Sequence, residues 1–278
     1  MEYLVAAFGV TFIASISFVF GVIIGSFLNV YIYRFHTGKS LMGHSHCLSC
    51  GTGLKPYELV PLFSYLGLLG KCRTCRSYIP SRYFLVELIT GLLFAGVVLT
   101  ATDVILMFHT LFFVSVLVVI AVYDMYHMII PDELVAALLV VVISNQLYLH
   151  ILGLPMSLFG WNILAALLGS LFFLLLWRVS KGTWIGFGDV KLVIPLALFV
   201  GYTAVFSMIV LSFWIGAIVG LLILGVQKLQ HLRQPYLRFL PTEFTMKSAV
   251  PFAPFLILGF LAVLFFQIDV ISLLAYAP

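Results

Sequence analysis

The sequence predicts an all-α polytopic membrane protein of about eight transmembrane helices, interrupted by one cytoplasmic zinc-binding insertion. Three observations lead there. The composition, 63% hydrophobic and 9% charged with a mean hydropathy of +1.21, lies outside the soluble globular range. Long apolar runs recur along the chain, most of them of a length that suits ~30 Å of hydrocarbon. Half of the cations and all four cysteines gather between the first two runs.

In chain order the apolar runs cover roughly 4–33, 83–101, 104–123, 134–152, 161–177, 190–207, 209–226 and 250–275. Met1 and Glu2 precede the first run without a Lys or Arg, so it reads as a retained span and not as a cleaved signal. The sixth and seventh runs are the least separated, with only Gly201, Tyr202 and Thr203 as a polar break. The predicted organisation is a first span (1–33), a four-cysteine loop (34–82) and a helical bundle (83–278).

Cation placement orients the chain. Arg34, Lys39, Lys55, Lys71, Arg73, Arg76 and Arg82 put seven of the 14 Lys and Arg into the loop, which by the positive-inside rule is cytoplasmic, with the N-terminus outside. Threading onward places Arg178, Lys181, Lys228, Arg233, Arg238 and Lys247 inside as well, leaving Lys191 at a span entrance. The net charge of +4 is thus a topology signal. No basic face with stacking aromatics is visible, so nucleic acid is not an expected partner and the lipid bilayer is.

The cysteines form two knuckles, Cys47 with Cys50 and Cys72 with Cys75, separated by 21 residues. Two such turns brought together supply the four thiolates of a closed, structural zinc site. Two disulfides or four plain thiols are the alternatives, and a reducing cytosol argues against the former. His44 and His46 are competing ligands that a complete four-sulfur shell does not need. A 49-residue loop with few aliphatics buries too little surface to fold alone, and a metal supplies the missing stability.

Asp124 and Asp189 each stand at the end of an apolar run, and the threading brings both to the cytoplasmic leaflet. An ionisable group embedded in a membrane marks a functional site by default. Two carboxylates sharing one proton suffice for peptide hydrolysis: the ionised one takes a proton from water while the protonated one donates to the carbonyl oxygen. Gly186 and Gly188, just before Asp189, permit close backbone approach. Asp132 and Glu133 follow Pro131 and suit the start of the next helix. His127 reads as an interfacial side chain. The plain alternative for both aspartates is a solvated carboxylate, or one paired with Lys191 or Arg178.

With these features in place, the chain resembles the type IV prepilin peptidases, the bifunctional leader peptidase and N-methyltransferase family of bacterial inner membranes. Six ordered segments carry the resemblance: Gly25 to Arg34 (GSFLNVYIYR), the cysteine loop with Pro61 to Leu66 (PLFSYL), Arg82 to Gly91 (RYFLVELITG), Asp124 to Asp132, Gly186 to Leu192 (GFGDVKL) and Pro251 to Phe255 (PFAPF). Ala253 stands where glycine is also common, and Leu48 where many members have proline; neither departure is expected to touch a catalytic or ligand position. The GFGD segment also resembles presenilin-type enzymes, which lack the cysteine loop.

The resemblance implies that Asp124 and Asp189 are the catalytic pair and that Cys47, Cys50, Cys72 and Cys75 bind zinc. It implies substrates that are prepilins or pseudopilins with short basic leaders, cut on the cytoplasmic side and then methylated with S-adenosylmethionine. Glu87 and Gly91 are the expected contributors to the methyl-donor or substrate N-terminus site. Glu87 is suited to holding an ammonium; pairing with Arg82 or Lys191 is the alternative. From a different class, a transporter or assembly scaffold would use the aspartates for ion coupling, but it needs mid-span polar residues, and Gln146 and Asn162 lie near span ends.

Overall fold

The computed structural model describes residues 9–38, 40, 43–233 and 250–275. Residues 4–8 of the first apolar run, and Lys39, Arg238 and Lys247 of the cation pattern, lie outside these. The described helices are α1 (Val10–Arg34), α2 (Phe63–Gly67), α3 (Arg82–Thr100), α4 (Val104–His127), α5 (Asp132–Ile151), α6 (Met156–Ser180), α7 (Phe187–Val200), α8 (Val205–Arg233), α9 (Ala253–Phe266) and α10 (Val270–Ala275). Six of them, α1, α3, α4, α5, α6 and α8, are long and apolar enough to cross a membrane. At 14 residues each, α7 and α9 are about 21 Å long, shorter than the hydrocarbon layer. The chain divides within α4 into two compact units, Met1–Val119 and Ile120–Pro278.

In the first unit, α1 and α3 form the main helix pair. Small residues allow it. Gly21 and Gly25 sit one turn apart on α1, and a Cβ at Gly25 would meet the Glu87 Cα at 2.8 Å. Gly91 of α3 reciprocates, because a Cβ there would meet Val22 at 2.6 Å and Phe18 at 2.9 Å. Polar bonds then fix the register: Asn29 Nδ2 donates to the Tyr83 carbonyl at 3.0 Å.

Between these helices the cysteine segment folds into two similar knuckles, each closed by an isolated antiparallel bridge, His46 with Gly53 and Lys71 with Tyr78. In each, the amide just beyond the second cysteine returns to the first: Gly51 N–H donates to the Cys47 carbonyl at 2.9 Å, and Arg76 N–H to that of Cys72 at 3.0 Å. Both donors have left-handed backbones, φ +71 at Gly51 and +60 at Arg76. Glycine takes that conformation without cost and arginine does not.

In the second unit α7 is the buried helix, packed by α5, α6 and α9. Leu192, Val193, Leu196 and Ala197 are wholly buried. Its far end is sewn in by polar groups: Gln146 Nε2 donates to the Leu198 carbonyl at 2.8 Å, and Tyr202 N–H donates to Asn162 Oδ1 at 2.9 Å. Asn162 Nδ2 in turn reaches Gln146 Oε1 at 3.4 Å.

Two apolar runs are cut differently from expectation. The sixth run ends at Val200, well short of 207, because Gly201 at φ +82 turns the chain and Asn162 holds the amide of Tyr202. The eighth run, expected to be continuous over 250–275, breaks at Gln267, whose φ is +50. Asp269 then accepts the Ile271 N–H at 3.0 Å to start α10. Asp132 and Glu133 do open α5, as expected, although no side-chain capping bond is formed there.

The helix pair predicts a contrast. Gly25→Val should destabilise the chain by about 1–3 kcal/mol through overpacking against Glu87, whereas Gly53→Ala, with nothing within 4 Å of its Cβ, should be neutral. Thermal unfolding of both variants in detergent checks this.

Candidate active site

Asp124 lies three residues before the end of α4 and is 5% exposed; Asp189, in the first turn of α7, is 4% exposed. Both are in the second unit, and they are close enough for the charge of Asp124 to act on Asp189. Their segments touch. A Cβ at Gly188 would meet Ile130 Cβ at 2.9 Å, so the glycine beside Asp189 allows the start of α7 to close onto the chain that follows Asp124.

Each carboxylate is met by the amino end of a helix, where the first N–H groups have no partner within the helix. Asp189 Oδ2 accepts the Gly186 N–H at 3.1 Å. The start of α9, at Ala253, lies near Asp124. The other oxygen of Asp189, Oδ1, is buried and has no hydrogen-bonding partner among the described residues. Such an oxygen is costly unless a proton, water or substrate shares it. Chemically, the arrangement is two buried carboxylates, one with an acceptor to spare.

The neighbouring charges are engaged elsewhere. Lys191 pairs with Asp132, and its ammonium lies 5.4 Å from the centroid of the Phe187 ring. His127 is exposed and lies tilted against the Tyr123 ring at 4.4 Å between ring centroids, consistent with an interfacial side chain. Ala253 was not an expected site residue, and its departure from glycine was expected to touch nothing catalytic. Its backbone in fact lies near Asp124. The signal was present in the sequence: Pro254 just after Ala253 marks a helix start. A cavity of about 360 Å³ between Phe199, Ser207, Val263 and Asp269 lies at the other end of α7 from Asp189.

In the first unit Glu87 is buried, accepts the Leu62 N–H at 2.8 Å and lies near the Ser26 hydroxyl. These contacts join three of the sequence segments singled out above. Gly91, one turn later, has the place of its side chain filled by Phe18 and Val22, so it serves the spacing of the helix pair.

The four cysteine sulfurs lie within 4.8 Å of one another, and Cys47 Sγ is 3.8 Å from Cys75 Sγ. A zinc–sulfur bond of about 2.3 Å puts tetrahedral sulfurs about 3.8 Å apart, so the cluster fits a metal of that kind. Backbone N–H groups of Cys50 and Ser49 bring the Cys47 thiol down to about 6, and a hydrogen bond with Ser77 lowers that of Cys75. Thiolates are what a metal binds. His44 and His46 are not part of the cluster.

Residues 19–101 match the model of the bacterial peptidase A24 N-terminal domain, and residues 111–221 that of the type IV leader peptidase family. Curated relatives agree. A prepilin leader peptidase/N-methyltransferase of Myxococcus xanthus (strain DK1622) is 34% identical over 214 residues, covering 74% of this chain and 62% of the relative. The chain thus spans less than two thirds of that relative's length. Proteins of the same name from Bacillus subtilis (strain 168) and Aeromonas salmonicida (strain A449) are each 30% identical. The first match covers 74% of this chain and 81% of the relative, the second 90% of both. No solved structure matches the chain. With both domains matched in chain order and 30% identity sustained over nine tenths of a relative, the chain belongs to the type IV prepilin leader peptidase family.

Proposed function

We propose that this chain is a membrane aspartic endopeptidase. It removes the short basic leader of type IV prepilins or pseudopilins at the cytoplasmic face of the bacterial inner membrane, then N-methylates the new N-terminal residue. The observation that carries the peptidase reading is the pair of buried carboxylates brought together at the starts of α7 and α9, with Asp189 Oδ1 left to share. Two carboxylates that share a site favour one shared proton. The ionised carboxylate takes a proton from water, the water oxygen attacks the scissile carbonyl, and the protonated partner donates to the carbonyl oxygen. Collapse of the tetrahedral intermediate returns a proton to the leaving amine. The Gly186 amide holds Asp189 in place throughout, and α9 starts beside Asp124.

The division into a first span, a cytoplasmic four-cysteine insertion and a catalytic bundle follows from this reading, with the N-terminus outside. Cys47, Cys50, Cys72 and Cys75 would hold a structural zinc, since four sulfurs leave no open position for water. Glu87 and Gly91 serve the methyl-donor or substrate N-terminus site. A carboxylate has room for about four hydrogen bonds, so Glu87 can hold an ammonium beside the Leu62 bond it already makes. S-adenosylmethionine, when bound, supplies an activated methyl group.

Asp124→Asn and Asp189→Asn should each lower leader removal by at least about 10³-fold, in the range of lost acid–base catalysis, while insertion and metal content stay normal. Product masses from purified enzyme and a prepilin measure this; normal processing by either variant refutes the assignment. Cys72→Ser should lower bound zinc and speed proteolysis of the 43–82 segment without displacing the carboxylates, as metal analysis and limited proteolysis will report. Unchanged zinc stoichiometry rules out the four-sulfur site.

A further inference from the structure

The cysteine insertion turns its apolar side chains outward. Phe63 is 77% exposed, Leu66 57% and Leu69 82%, and Leu59 and Val60 are exposed just before them. Phe63 and Leu66 are one turn apart on α2, so they share a side. What faces inward is the polar complement. Tyr65 donates its hydroxyl to the Ile79 carbonyl at 3.4 Å and lays its ring 5.4 Å from that of Phe84, while the Leu62 amide is bound by Glu87. In water this is an inverted arrangement, since exposed apolar clusters of this kind mark a surface meant to be covered.

The anchoring contacts say where that surface lies. Glu87 is five residues into α3, about 7 Å below the start of that span, and Ser26 is eight residues before the end of α1, about 12 Å below it. The Leu62 backbone, tied to Glu87, is therefore held beside two membrane-spanning helices and below their ends. Interfacial segments bury their apolar face to a depth of about 5–10 Å. Charge fits as well. Between residues 55 and 82, Lys55, Lys71, Arg73, Arg76 and Arg82 face a single carboxylate, Glu58. The segment stays positive even after the formal −2 of a zinc tetrathiolate is counted. Tyr78, 80% exposed, lies under the Lys71 ammonium at 5.0 Å, an aromatic with a cation as found at membrane interfaces.

We propose that Leu59–Leu69 is an interfacial membrane anchor. It lays Phe63, Leu66 and Leu69 into the lipid beside α1 and α3, and the cations that follow rest on anionic phospholipid headgroups. The occupant is the bilayer surface itself. The anchor is independent of the reaction performed at the carboxylates. It fixes the metal knuckles against the membrane instead of leaving them free in the cytoplasm.

The test uses the full metal-loaded chain in nanodiscs of phosphatidylcholine, with or without phosphatidylglycerol. A phospholipid bearing a photoactivatable group on its acyl chain is added, and labelled residues are located by mass spectrometry. Labels should appear on Phe63, Leu66 and Leu69 at yields comparable with those at the ends of α1 and α3, and should rise severalfold with phosphatidylglycerol. The triple variant Lys71→Gln, Arg73→Gln, Arg76→Gln should lose that rise while keeping its metal. A segment that stays unlabelled while both spans are labelled overturns the anchor, whether its amides exchange freely with water or are covered by protein. Labelling indifferent to phosphatidylglycerol overturns the anionic partner.

Discussion

The constraint on which the catalytic unit depends is the burial of two carboxylates in an apolar helical bundle. An ion withdrawn from water loses several kcal/mol of hydration even after the protein relaxes around it. That loss is tolerable here because two helices begin at the carboxylates. α7 brings the Gly186 amide onto Asp189, and α9 starts beside Asp124. Backbone N–H groups at a helix start must be satisfied somewhere. One set of otherwise unpaired N–H groups thus solves two problems, and it does so without adding a cation that would quench the pair.

Holding Asp189 at a fixed depth is the second requirement. α7 is short and contains Pro195, which removes one bond from its own ladder, so its axial position rests on neighbours. Ser170 donates to the Val190 carbonyl at 3.0 Å, Gln146 to that of Leu198, and Asn162 takes the amide of Tyr202. The polar residues near the span ends are a clamp on the helix that carries Asp189.

Much of this was legible in the residues. The knuckle spacing, the apolar runs and the two isolated aspartates are local signals, and local signals survive without coordinates. The cysteine cluster came out as the spacing implied. What the chain hides is tertiary. The end of the sixth run was misplaced because Gly201 gains its meaning from Asn162, 39 positions earlier, and the eighth run looked continuous because Ile268 and Val270 are as apolar as the helix before them. The Gly21 and Gly25 repeat was available as a packing signal and went unused. Glu87 was expected to face a ligand; its bond to Leu62 could be seen only once the insertion was folded onto the helix pair.

The central claim is that Asp124 and Asp189 act as one unit. Single-turnover rates of leader cleavage for Asp124→Asn, Asp189→Asn and the double variant address it most directly. Residues sharing one proton lose the same chemistry whichever is removed, so the double variant should be no slower than the slower single one. If the two losses multiply instead, the carboxylates contribute separately, and the shared-proton account is wrong.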